Sequence, residues 1–122
     1  MKRDMDLARL ILFKIEEKPY TGDWVEISVD GYSPEETTYH IMLLAEAGLI
    51  DADNVSHGRT NKWMPKQLTW QGHEFLDAAR DNNRWNKAKN TMEKFGGFVF
   101  EIGKQVLLEL IKSELRTSHL IA

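Results

Sequence analysis

The sequence predicts an α+β fold, mainly α, in which a small antiparallel sheet is followed by a helical C-terminal extension. Residues 33–50, SPEETTYHIMLLAEAGLI, open on a capping box and stop at a glycine, which bounds a helix at both ends. Residues 51–67 are polar and turn-forming apart from Val55, Trp63 and Met64, the pattern of a hairpin. Gly96-Gly97 then sets off an apolar run broader than a single packed face needs. Length gives no case for two full domains, so one domain over residues 1–80 is expected to carry an extension over residues 81–122.

The elements follow in order. Leu7, Leu10, Ile11 and Ile15 recur at helical spacing, with Arg9, Lys14, Glu16 and Glu17 off that stripe, so a first amphipathic helix ends before Pro19. Residues 24–29 alternate between apolar and polar and end at Asp30-Gly31, which predicts a short strand. In the central helix Ser33 caps the backbone at Glu36, Pro34 takes the first helical position and Glu36 bonds back, while Gly48 supplies the left-handed stop. A strand begins at Leu49 and Ile50, and the hairpin tip lies around Ser56, His57, Gly58 and Arg59. Thr69 caps a helix through Ala79, at some cost from Gly72, and the Asp81-Asn82-Asn83 cluster breaks it. A helix over about residues 84–95 presents Trp85, Ala88 and Met92 on one side. The last, over residues 98 to about 116, carries one stripe of Val99, Ile102, Gly103, Val106 and Leu110 and another of Phe100, Leu107, Ile111 and Leu115.

Composition narrows the function classes. An apolar share of 42% and a charged share of 29% are those of a globular protein. Cysteine is absent, which excludes disulfides, thiolate nucleophiles and cysteine-ligated metals, and fits a cytoplasmic protein. Charges within the first segment argue against a signal peptide, and those in the last helix against a membrane span, so no membrane partner is expected. The net charge of −3 is unevenly spread. Residues 1–53 hold five Lys or Arg against twelve Asp or Glu, whereas residues 54–73 hold Arg59, Lys62 and Lys66 and no acid. Phosphate contacts supply most non-specific DNA affinity, so only the middle segment favours nucleic acid.

The succession of helix, strand, capped helix ending in EAGLI, hairpin, and helix opening LTWQGHEFLDAARD resembles a winged-helix domain, with the first helix of a helix-turn-helix reduced to the turn at residues 30–34. The phrases MKRDMDLARLIL, YHIMLLAEAGLI, LTWQGHEFLDAARDNNRWNKAK and KFGGFVFEIGK also resemble the bacterial and phage domain-of-unknown-function family numbered 2513. That resemblance implies a winged-helix-like fold with a helical extension, often carried by mobile elements. It implies no catalytic residue.

Candidate sites follow from side-chain chemistry. The face of the central helix opposite Ile41 and Leu44 carries Glu35, Thr38, Tyr39, Met42 and Glu46. Base reading needs donors such as Arg or Asn, and carboxylates repel phosphates, so Glu35, Thr38, Met42 and Glu46 suit a protein partner, such as a host protein, better than DNA. His57, Arg59, Lys62 and Lys66 lie where a hairpin tip can grip the phosphates of double-stranded DNA. Phe100, Leu107, Ile111 and Leu115 form the apolar surplus expected to pair two copies as a homodimer. His40 and His73 are expected to pack and hydrogen-bond, and the four tryptophans to lie in or near the core. Asp51, Asp53 and His57 match no metal-ligand spacing, no catalytic triad or phosphate-cradling loop can be assigned, and Gly96-Gly97 is expected to act as a hinge, so neither cofactor nor catalysis is expected. The leading expectation is a DNA-associated transcriptional regulator; the alternative is a protein-interaction module acting on a host or defence protein.

Overall fold

A computed structural model describes residues 1–121, with side chains through residue 118. The fold is α+β and mainly helical, with five helices and a two-stranded antiparallel sheet among the described residues. The chain divides into two compact units, Met1–Leu76 and Asp77–Ala122, so the division falls inside a helix and ahead of the expected boundary after residue 80. Residue 122, the end of the expected extension, lies outside the described residues.

In the first unit, α1 (Met5–Glu17) is capped by Asp4, whose carboxylate accepts from the N–H groups of Asp6 and Leu7. It buries Leu7, Ala8, Ile11, Leu12 and Ile15. Leu10, expected in that stripe, is instead exposed, because the inward face runs from Leu7 through Ile11, Ile15 and Ala8 to Leu12 and leaves Leu10 on the other side of the helix. α2 (Pro34–Glu46) begins with the full capping box: Glu36 N–H donates to Ser33 Oγ at 3.1 Å, and Ser33 N–H donates to Glu36 Oε1 at 3.1 Å. At the other end Gly48 has φ of +77°, and Leu49 N–H returns to the Leu44 carbonyl at 3.0 Å. α2 buries Thr37, His40, Ile41 and Leu44 against α1 and the sheet.

β1 (Ile50–Asn54) pairs with β2 (Trp63–Leu68). Asp51 faces Gln67 but Ala52 faces Pro65, so Lys66 is the extra residue of a bulge. The strand expected at residues 24–29 does not form. Val25 N–H donates to the Pro65 carbonyl at 2.9 Å, yet no ladder follows. The N–H and C=O of a strand residue point to the same side, and proline has no N–H to return.

α3 (Trp70–Ala79) starts where Thr69 Oγ1 accepts from Gly72 N–H at 3.1 Å. Gly72 belongs here for a packing reason: a Cβ at this position would overlap the Leu49 carbonyl oxygen. Its helix-propensity cost is thus exchanged for close approach of α3 to the end of α2.

In the second unit, α4 (Asn82–Glu93) packs along α5 (Phe100–Ile121). Asp81 caps α4 through Arg84 N–H at 2.8 Å, so the Asp81-Asn82-Asn83 cluster starts a helix two residues earlier than expected as well as ending one. α5 starts after Phe98, not at it, because the Phe98 ring folds back onto Trp85, with centroids 5.5 Å apart, over a bare Gly103. Trp85, Ala88, Met92 and Leu107 fill the space between the two helices.

Candidate functional site

The hairpin presents an ordered tip. Val55 N–H donates to the Lys62 carbonyl at 2.9 Å, Ser56 Oγ accepts from Lys62 N–H at 3.0 Å, and His57 and Thr60 exchange backbone bonds of 3.0 Å across Gly58. Residues 56–61 are exposed and contain Arg59 and His57 but no acid. Arg59 has no ion pair or hydrogen bond among the described residues.

The two lysines further down the hairpin are engaged. Lys62 Nζ lies 3.8 Å from Glu26. Lys66, turned by the bulge, lies 3.3 Å from Asp53 Oδ2, which also accepts from the Trp24 indole N–H at 2.8 Å. The indole bond first, and Lys66 second, hold the Asp53 carboxyl below the usual carboxylate range. These pairs are solvent-exposed, and such pairs contribute about 0–1 kcal/mol, so a phosphate can compete for either lysine. Sequence reasoning missed Glu26 and Asp53 as partners; the outward position of Glu26 in the 24–29 alternation was the available signal.

The α2 face divides differently from expectation. Glu35 and Glu46 are exposed and Met42 is half-buried. Thr38 is not free for a partner, because its hydroxyl accepts from Trp63 N–H at 2.7 Å and ties α2 to β2. The side chain is thereby turned toward the sheet.

The α5 surplus is also redistributed. Leu107 is 0% exposed and belongs to the α4–α5 core, so it is unavailable for pairing two copies. Phe100 and Ile111 are half-buried, and Leu115 is 65% exposed. The inward line of α5 is fixed by Gly103 beneath Phe98 and by Glu114, whose carboxylate takes a two-pronged bond from Arg84 at 3.2 and 2.6 Å. The exposed apolar residues near its start are Val99 and Ile102, with Phe95 ahead of them.

Other candidates fall into place. His40 is buried: Asp4 N–H can only donate, so Nε2 accepts it at 2.8 Å, and Nδ1–H donates to the Glu36 carbonyl at 2.8 Å. His73 is exposed, contrary to expectation, because it lies on the side of α3 away from Phe75 and Leu76. Trp24 and Trp70 are likewise outside the core, Trp70 with 77% of its surface exposed and its indole bonded to Glu74 at 2.7 Å. Asp51, Asp53 and His57 do not converge, and no group of three metal-ligating side chains exists among the described residues. No described helix is long and apolar enough to cross a membrane.

Residues 2–98 match a protein family described as "Hypothetical protein (DUF2513)". The chain belongs to the DUF2513 family. A DUF2513 assignment spans the hairpin, α2 and α4 and stops short of α5. The chain is also similar to an uncharacterized protein of Haemophilus influenzae, 39% identical over 94 residues that cover 76% of this chain and 80% of the relative. No solved structure matches it.

Proposed function

We propose that this DUF2513 protein is a non-enzymatic, winged-helix-like binding protein that associates with double-stranded DNA, with the β1–β2 hairpin, residues 50–68, in the role of the wing. The observation that supports it is the tip itself, an exposed, hydrogen-bonded turn with Arg59 unpaired among the described residues and no carboxylate over residues 56–61. His57 stands beside Arg59, and Lys62 and Lys66 join by exchanging their surface carboxylates for phosphates. The order of helix, capped helix and hairpin is compatible with a winged helix. α2 supplies position in this scheme and does not read bases, since its exposed ends are Glu35 and Glu46.

Fluorescence anisotropy with a duplex of mixed sequence tests the assignment. Affinity should fall steeply between about 50 and 200 mM salt, and R59E/K62E should abolish it. Unchanged binding by R59E/K62E would remove the hairpin from the interface.

A second function has one specific observation in its favour: Glu35 and Glu46 are exposed on a face of α2 with no cation. Such a face suits a basic protein surface, for instance on a host or defence protein. Capture of a partner from host lysate should be lost on E35K/M42A/E46K, and retention would exclude that face.

A further inference from the structure

α4 buries Trp85, Ala88 and Met92 along one side. At about 100° per residue, the opposite crest consists of Asn83, Asn86, Lys87 and Asn90, continued by Lys94 at the C-cap, and all five are exposed. None of their side chains has an ion pair or hydrogen bond among the described residues. The nearby acids lie off the crest: Asp81 is used in the cap, Glu93 is on the flank, and Glu114 is held by Arg84, although it also lines a shallow groove with Lys87. The crest therefore carries amides and ammonium groups and no carboxylate.

Asparagine is a poor helix former, because its side chain competes for backbone bonds. Asn86 and Asn90, inside α4, weaken it, and like Asn83 in the first turn they return neither a cap nor a packing contact; a local rule broken without structural gain points to function. The chemistry names the ligand. An Asn amide donates and accepts together, as the N6 and N7 edge of adenine requires, and Lys reaches guanine or phosphate. A helix of 12 residues is about 18 Å long, and the B-DNA major groove, about 12 Å wide, admits it. The deep, narrow major groove of duplex RNA does not.

We propose that the outward face of α4 docks in the major groove of double-stranded DNA, with Lys87 and Lys94 at phosphates or guanines and Asn83, Asn86 and Asn90 at base edges. This contact stands on α4 alone and does not require the hairpin to bind.

The full chain is titrated against a fluorescein-labelled DNA duplex of about two helical turns. K87E/K94E should weaken binding at least about tenfold and lower the salt slope by about two. N83A/N86A/N90A should raise the melting temperature, since alanine favours the helix, and yet lose discrimination between duplexes of different sequence. Gain of stability with loss of selectivity cannot arise from misfolding. Wild-type affinity and selectivity in both variants would overturn the proposal, as would absence of duplex binding by the wild type at about 50 mM salt, or tighter binding to duplex RNA. If R59E/K62E abolishes binding and the α4 variants do not, the hairpin contact stands and this one falls. The reverse result leaves α4 as the DNA surface and removes the hairpin.

Discussion

His40 joins α1 to α2 through two backbone groups, the N–H of Asp4 and the carbonyl of Glu36, and both are lost together if the ring is removed. Replacement by alanine leaves a cavity and unpaired polar groups, so H40A should cost about 3 kcal/mol in urea unfolding. H40F keeps the volume without the bonds; if it is as stable as the wild type, the hydrogen bonds contribute nothing. Asp53 belongs to the same scale. Its folded pKa is lowered, chiefly by the Trp24 indole and then by Lys66, so its contribution to stability is full above the unfolded value of about 3.9 and is lost as pH falls through the lower folded value. D53N should accordingly flatten the acid limb of the stability profile below pH about 4 and leave the profile above it parallel to that of the wild type. A variant whose acid limb is unaltered would separate Asp53 from acid unfolding.

Elements here are set by a few local rules and corrected by close approaches. S33A removes one half of the α2 capping box and should cost about 1 kcal/mol. G72A tests a conflict between levels: alanine favours a helix by about 1 kcal/mol over glycine, yet its Cβ would strike the Leu49 carbonyl oxygen, so the variant should be less stable. A stabilised G72A would show that α3 can move away from Leu49 at no cost. The same contrast explains what the sequence disclosed. The α2 boundaries were legible because Ser33, Glu36 and Gly48 act within a turn of their own backbone. That residues 24–29 form no strand was not legible, since alternation says nothing of a partner, and the one partner carbonyl belongs to Pro65, 40 residues downstream of Val25. For the site, the basic hairpin tip was visible as a run without acids. The Lys66 bulge, the Thr38 bond to Trp63 and the inward turn of Leu107 depend on register and helix rotation, which only packing decides.

At the scale of the whole molecule, charge is distributed by unit as well as by sequence. The first unit combines an acidic α2 face with a cationic hairpin tip, so in the proposed DNA-binding role its contribution should be confined to that tip and be strongly salt-dependent. Self-association through α5 remains a proposal with a narrower surface than the sequence suggested, formed by Leu115 or by Val99 and Ile102 and excluding Leu107. Static light scattering at high concentration should then exceed the monomer mass of 14.2 kDa, and a value equal to it would eliminate the dimer. The tryptophans add a practical consequence. Trp85, 1% exposed, is the indole sealed inside the second unit, while Trp24, Trp63 and Trp70 belong to the first. A protein retaining Trp85 alone emits from a dry site whose spectrum shifts to the red when water reaches it, and one retaining Trp63 reports from beside α2. Paired single-tryptophan proteins thus turn intrinsic fluorescence into two separate clocks, one for the melting of each half of the chain.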